Sequence, residues 1–240
     1  MKPLTKDTFF NGRIKVKQDS CGYRFSIDSI LLACHAEPRP GDKVVDLGTG
    51  CGIIPLILAY REPNLKIFGI ELQKELADIA SSNVEENHMA NIITIFCHDM
   101  KELKNDMISG PVDLIVCNPP YRKAESGRIN PDLQRALARH EITVCLDDIT
   151  KTARRVLRTA GRLITIYSAE RIADLLTHLR ASGIEPKSLR MIHSGAKTEA
   201  KLILVEGIKG GHPGVKIGPP IIIYDEKGAY TPEVQKMFMP

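Results

Sequence analysis

Short apolar runs alternate with amphipathic stretches along most of this chain. Residues 44–47, Val-Val-Asp-Leu, form a compact apolar run that opens into glycines, and residues 53–60 then read as a helix stopped by Pro63. Residues 65–70 are a second strand-like run, after which Leu76, Ile79, Ala80 and Val84 fall at helical spacing. Two more strand-like runs follow at 92–96 and 112–116, the second leading into Cys117-Asn118-Pro119-Pro120-Tyr121. Residues 146–157 predict a helix and 161–167 a strand, while Ile172, Leu175, Leu176 and Leu179 mark one face of another helix. Strands alternating with helices in this way imply βαβ units, hence an α/β, doubly wound, mainly parallel sheet.

The tail changes character. Two β-like runs, 188–193 and 201–205, precede a glycine-rich stretch at 207–214, and residues 221–224 offer a last strand before Asp225 and Glu226. No internal repeat or linker divides the chain. Its 240 residues suffice to bury one large core. The cysteines at 21, 34, 51, 97, 117 and 145 include no C-x-x-C pair and no zinc-ligand cluster, so they are expected to be reduced, mostly buried, and free of metal. The first residues lack the apolar run of a signal peptide, and no stretch approaches the roughly 18 apolar residues of a membrane span; a cytoplasmic protein is expected.

Charge adds little until its distribution is considered. The formal net charge of +4 permits a nucleic-acid partner without requiring one. Lys2, Lys6, Arg13, Lys15, Lys17 and Arg24 face only Asp7 and Asp19, and a second basic run, Arg122, Lys123, Arg128, Arg135 and Arg139, follows Tyr121. Either run alone is equally a solvated face.

Asp46-Leu47-Gly48-Thr49-Gly50-Cys51-Gly52 places glycines at alternate positions between a strand and a helix, where backbone can approach a ligand closely. A dinucleotide fingerprint would read G-x-G-x-x-G; here the spacing is G-x-G-x-G, Asp46 precedes it, and position 53 is Ile, which favours a cofactor without a pyrophosphate. S-adenosylmethionine fits, because its ammonium needs an acceptor, which Asp46 supplies, and its carboxylate needs N–H donors at a helix start. Glu71, ending the second strand, is placed for the ribose hydroxyls; Asp99, after the third, for the adenine amino group, with Met100 packed on the ring. Each acid alone is more often a cap or surface residue, yet open α/β sheets bind ligands where all of these converge, at the carboxyl ends of the strands.

Asn118-Pro119-Pro120-Tyr121 ends the fourth strand at that same edge. By itself it is a rigid turn. Behind a complete cofactor constellation it is an acceptor site: the Asn118 side-chain oxygen and the Pro119 carbonyl can accept the N–H bonds of a planar amine, aiming its lone pair at a methyl donor, while Tyr121 stacks the acceptor ring. At that position Asn118 is expected to touch the cofactor as well. His140 and Glu141 form a structural pair more readily than an acid–base pair, since this chemistry needs no strong base.

The glycine turn and the Asn118-Pro-Pro-Tyr121 box together resemble the amino-group methyltransferases of DNA, rRNA, tRNA and release-factor glutamine. Residues 22–32, Ala138-Arg139-His140-Glu141, and the C-terminal Leu202-Ile-Leu-Val-Glu through Pro219-Pro220 to Tyr224 narrow this to a resemblance to the tRNA1(Val) adenine-N6 methyltransferase family. The resemblance implies a Rossmann-like class I sheet of seven strands ending in an antiparallel hairpin, from about 188 to 205. It implies a covering segment at 1–42 that brings Phe25 and Asp28 near the cofactor, a methyltransferase core at 43–207, and a tail at 208–240 packed on that core. It also implies a tRNA substrate, methylated at an adenosine beside the anticodon. With such a substrate, the two basic runs are expected to bring Lys15, Lys17, Arg122, Lys123 and Arg128 near the Asn118 edge and onto its phosphates. The alternatives are another amino acceptor, an rRNA base or a release-factor glutamine, or a non-catalytic nucleic-acid-binding protein that keeps the fold. Release-factor enzymes usually carry a separate N-terminal helical domain, for which the 42 residues before the first strand are too few. An intact Asn118 box disfavours a non-catalytic role, and the glycine spacing disfavours a nicotinamide oxidoreductase.

Overall fold

The computed structural model describes residues 4–19, 27–119 and 146–239. The first elements are a hairpin, β1 (Leu4–Phe9) and β2 (Ile14–Asp19), and helix α1 (Ile27–His35). The alternating pattern then produces β3 (Lys43–Leu47), α2 (Ile53–Arg61), β4 (Lys66–Glu71), α3 (Lys74–Glu86), β5 (Ile93–Cys97) and β6 (Val112–Cys117). After residue 145 come α4 (Leu146–Val156), β7 (Leu157–Ser168), α5 (Ile172–Ala181), β8 (Ile184–Gly195), β9 (Ala200–Lys209), β10 (Lys216–Ile217), β11 (Ile221–Tyr224) and α6 (Pro232–Met237).

The main sheet runs β5-β4-β3-β6-β7-β9-β8, parallel from β5 to β7, with β9 antiparallel between β7 and β8. These are the expected seven strands and the expected closing hairpin. The sheet nevertheless has nine, because β10 and β11 both pair in parallel with β8. Left uncovered, β8 would present a row of unpaired backbone groups, and the two short segments blunt that edge. Strand β7 begins earlier than the apolar run at 161–167 suggests: Leu157 pairs with Val112, but a register shift intervenes and continuous pairing resumes at Arg162.

Helix α2 is apolar all round, as a helix buried between the sheet and its neighbours must be. Pro55 is tolerated in its first turn, where backbone N–H groups have no intrahelical partner. One core, including Val44, Ile57, Ile67 and Leu114, packs α1, α2 and α3 with the β1–β2 hairpin on one face of the sheet. The other, including Val45, Ile115, Ile149 and Leu179, packs α4 and α5 on the opposite face. Among the described residues no helix is long and apolar enough to cross a membrane.

From β3 the chain proceeds outward to β4 and β5, then returns to place β6 on the other side of β3. Such a reversal opens a crevice at the carboxyl ends of the two central strands. Asp46 on β3 lies beside Val116 on β6, and Asn118 follows β6 directly, so both chemistry-bearing residues flank that crevice.

Candidate active site

The glycine turn leaves β3 through left-handed backbone at Gly48 (φ 74°), Gly50 (φ 59°) and Gly52 (φ 84°), which L side chains adopt only with strain. Gly48 and Gly52 serve different ends. A Cβ at Gly52 would lie 3.3 Å from that of Ala80, so this glycine lets α2 start close against α3. A Cβ at Gly48 would meet nothing within 4 Å, so the space it leaves is open to a ligand. Gly48 and Thr49 both donate backbone N–H bonds to the Ile70 carbonyl, at 2.9 and 3.0 Å, fixing the turn on β4.

Glu71 is buried, and its carboxylate organises the turn. Oε2 accepts from Gly50 N and Oε1 from Gln73 N, both at 2.9 Å, joining the glycine turn to the start of α3. A carboxylate has about four lone-pair sites, so acceptance from ribose hydroxyls stays compatible with both bonds.

Asp46 is fully buried, and neither of its oxygens finds a hydrogen-bond partner among the described residues. Burial pushes its pKa up to about 7; the nearby Thr49 hydroxyl offsets this in part and the Glu71 charge adds to it. Thr49 lies close enough for that influence, but its Oγ1 is itself buried without a bond of good geometry. An orphaned acid pointing to the α1–α3 face of the sheet is costly for the protein alone, and a cationic ligand is what would satisfy it. The ammonium of S-adenosylmethionine has the charge and donors that such an acid lacks.

Asp99 caps the short 3₁₀ turn Met100–Glu102, accepting from Lys101 N at 2.9 Å, with Lys101 Nζ 3.5 Å from its other oxygen. Met100 is buried against the core that contains Phe68 and Ile70. The turn is held from α4: Arg155 donates to the carbonyls of Leu103, Met100 and Lys101 at 2.7, 3.0 and 2.9 Å, and Thr152 donates to Met100 O at 3.0 Å.

Asn118 donates from Nδ2 to Ser29 Oγ at 2.9 Å. Ser29 and Asn118 line one pocket with Gly48, Thr49, Gly50 and Ile53, so the acceptor box and the glycine turn do meet. Asp28 neighbours Ser29 on α1 and is buried. Phe25, Pro120, Tyr121, Arg122, Lys123, Arg128, His140 and Glu141 lie outside the described residues. Four described cysteines are free; Cys34, Cys51 and Cys117 are buried and Cys97 is exposed. Burial raises the three buried thiols, Cys51 to about 12, which keeps them protonated and inert.

Lys15 and Lys17 lie on β2, which α3 holds through two asparagines one turn apart. Asn83 Oδ1 accepts from Lys17 N at 2.8 Å and its Nδ2 donates to Lys17 O at 3.0 Å and Cys51 O at 2.8 Å. Asn87 repeats the pattern on Lys15 N and O, at 2.9 and 2.7 Å. Lys17 Nζ lies 2.8 Å from Glu86 Oε2 and donates to Ser82 Oγ at 3.3 Å, so its amine is directed to α3. Asn83 has no exposed surface, and it ties hairpin, helix and glycine turn together. Asn83→Ala is therefore expected to destabilise the protein by about 2–4 kcal/mol, the sum of three hydrogen bonds in a buried setting. Asn87→Ala, on a more exposed helix end, should cost about 1 kcal/mol or less. Urea unfolding midpoints check both; equal losses would mean that the Cys51 and Lys17 bonds carry no special weight.

The sequence reading missed Ser29, Asn83 and Arg155. Each acts through a partner distant in sequence, and only the polarity of Asn83 on an amphipathic helix hinted at a role.

A doubly wound sheet whose glycine turn and terminal amide line one pocket, with a buried, orphaned acid on the strand that leads into that turn, has the make-up of an S-adenosylmethionine-dependent methyltransferase. The family model of the methyltransferase small domain matches residues 21–179, and the chain belongs to that family. A tRNA1(Val) (adenine(37)-N6)-methyltransferase of Porphyromonas gingivalis is 30% identical over 99% of this chain and 95% of its own. One of Tolumonas auensis is 30% identical over 70% and 69%. Among solved structures, one described as a predicted O-methyltransferase of Agrobacterium tumefaciens superposes with a TM-score of 0.69 at 22% identity, covering 88% of this chain and 94% of that one. The geranyl diphosphate C-methyltransferase of Streptomyces coelicolor, solved with S-adenosyl-L-homocysteine, gives 0.54 at 14%, covering 75% and 76%. Both structural likenesses concern the fold alone.

Proposed function

We propose that this enzyme methylates N6 of an adenosine in tRNA, near the anticodon. The observation that carries the reading is the placement of the Asn118 amide at the glycine-turn pocket, in a chain that matches tRNA adenine-N6 methyltransferases over nearly its whole length. When bound, S-adenosylmethionine supplies a methyl group activated by an adjacent sulfonium. Asp46 would hold the ammonium of its methionine part, and N–H groups at the start of α2 would meet its carboxylate, since those of Gly48, Thr49 and Gly50 are bonded within the turn. Glu71 takes the ribose, while Asp99 and Met100 take the adenine, with Phe25 and Asp28 covering them.

On the acceptor side, Asn118 Oδ1 and the Pro119 carbonyl accept the two N–H bonds of the exocyclic amine, which turns its lone pair out of conjugation and toward the methyl group. The amine becomes more acidic as it attacks, so these two bonds strengthen in the transition state. The proton is released to water after transfer. Pro120 stiffens the turn and Tyr121 stacks the extruded base. Lys15, Lys17, Arg122, Lys123 and Arg128 contact phosphates. Because Glu86 directs the Lys17 amine toward α3, Lys15 is the more available of the hairpin pair. Residues 1–42 act as the cover, supported by the bonds from Asn83 and Asn87 to β2; 43–207 act as the core and 208–240 as a packed tail. A tRNA substrate places the enzyme in the cytoplasm.

The deciding experiment incubates the enzyme and labelled cofactor separately with unmodified tRNA, rRNA, duplex DNA and a release factor, then digests and identifies the product. N6-methyladenosine in the tRNA digest is expected. Label on a release-factor glutamine, with none in RNA, would overturn the reading in favour of that protein substrate.

A further inference from the structure

The backbone fixes where Asn118 begins, at the end of a central strand, but not how its amide is turned, because the terminal torsion of an asparagine is broad and soft. Turned the wrong way, the amide presents its NH₂ to an acceptor amine that is itself a donor, and no hydrogen bond forms. Something must hold the plane of the amide.

Ser29 sits in the third position of α1, only 3% exposed, and receives the Nδ2–H of Asn118 at 2.9 Å. The bond is part-buried, sheltered on the Ser29 side and open toward the pocket on the Asn118 side. Helix α1 is a firm base for it: Ile30, Leu31 and Leu32 are buried in the sheet-facing core, and Cys34 Sγ donates to Met237 O of α6. Asn118 makes no other side-chain hydrogen bond among the described residues. Ser29 also borders the pocket shared with Gly48 and Gly50, so the bond lies beside the place where methyl donor and acceptor meet.

We infer that Ser29 is a positioning residue for methyl transfer: its hydroxyl holds the Asn118 amide so that Oδ1 faces the acceptor amine. This rests on the reading of Asn118 as an acceptor-holding residue. Ser29 acts through Asn118 and touches neither the methyl group nor the nitrogen that receives it.

The test is a double-mutant cycle read by single-turnover methyl transfer to unmodified tRNA, with S-adenosylhomocysteine affinity measured alongside by calorimetry. Ser29→Ala should slow transfer about three- to tenfold, the worth of one neutral hydrogen bond. The affinity for S-adenosylhomocysteine should stay within about twofold, because that bond makes no part of the cofactor's own contacts. Ser29→Cys, which keeps the volume but is a weak acceptor, should behave like Ser29→Ala, and Ser29→Thr, which keeps the hydroxyl, should restore most of the rate. In an Asn118→Ala background, Ser29→Ala should have almost no further effect, since the two residues act as one unit. Independent, multiplying losses would overturn the inference, as would a loss of cofactor affinity with the saturated rate intact. If Asn118→Ala itself leaves the rate unchanged, the reading of Asn118 falls first, and the two failures are thereby told apart.

Discussion

Replacing Asp46 by asparagine is expected to make the ligand-free protein more stable at pH 8 and to weaken its hold on S-adenosylmethionine. Asp46 is fully buried without a partner among the described residues, and its pKa in the folded chain is about 7, against an ordinary value of 3.8. A folded pKa above the unfolded one means that the native state binds the proton more tightly. Stability therefore falls as pH rises from about 4 to about 7, and the penalty is complete above 7. Asparagine removes the charge but keeps a polar amide that still wants partners, so the net gain at pH 8 should be about 1–2 kcal/mol, a small part of the ionisation cost. For a chain of this size that is roughly 2–8 °C in thermal midpoint. Near pH 5 the wild-type carboxyl is mostly protonated, and the difference should shrink. Cofactor affinity should move the other way, by about 1.5–3 kcal/mol, because a charge-assisted bond to the ammonium is lost. Wild-type affinity should itself weaken as the pH drops below about 7 and Asp46 takes up its proton. Scanning calorimetry at both pH values with cofactor titration checks the pair of effects. A variant that binds cofactor as well as the wild type, or that gains nothing in stability at pH 8, would show that Asp46 is an ordinary buried acid. The expected trade follows the general rule that a ligand site is left unsatisfied at a cost in stability.

Much of this was legible because the signals were local. The run at 44–47 and the glycines after it placed β3, the turn and α2, and those residues form the turn observed. The strand at 112–116 and the amide after it placed Asn118 on the right edge, since a parallel sheet aligns its carboxyl ends. The hairpin of β1 and β2 was not read, although Ile14, Val16 and Gln18 alternate with Lys15 and Lys17 in the period of a half-buried strand. Counting that segment's lysines as charge obscured its alternation. Of the two extra strands, β11 is the last strand read at 221–224, although its pairing with β8 was not; β10 was not read at all, because it is only two residues long and its reason for existing is the open edge of β8, which is a property of the assembled sheet. For the same reason Glu71 was read only toward a ligand. Its bonds to Gly50 and Gln73 depend on how β4 meets the turn from β3, which no spacing along the chain encodes.

Asn118→Ala should give the largest catalytic loss: methyl transfer slowed by about two orders of magnitude or more, with cofactor affinity within a few-fold of wild type. The split follows from where the side chain sits. Its Nδ2 is used by Ser29, which leaves Oδ1 as the end that can accept from an amine in the pocket shared with Gly48 and Gly50. A conjugated amine is a poor nucleophile whose N–H bonds become strongly acidic only as it attacks, so an acceptor fixed there stabilises the transition state more than the bound ground state. Removing one such preorganised partner costs about 2.7–4 kcal/mol in enzymes where this has been measured, about a hundred- to a thousandfold in rate. In the proposed site the main cofactor contacts come from Asp46, the glycine turn and Glu71, so truncating the neighbouring Asn118 should cost the cofactor little. Truncation also removes the bond to Ser29, which should cost the fold about 1 kcal/mol and leave it intact at assay temperature. His140→Ala serves as the contrast and should slow transfer only a few-fold, because proton release after attack needs no dedicated base. Single-turnover rates with saturating cofactor, set beside titrations with S-adenosylhomocysteine, separate the two quantities. Parallel losses in rate and cofactor affinity would make Asn118 a cofactor contact, and a greater loss for His140→Ala than for Asn118→Ala would assign the chemistry to a base that the present mechanism does without.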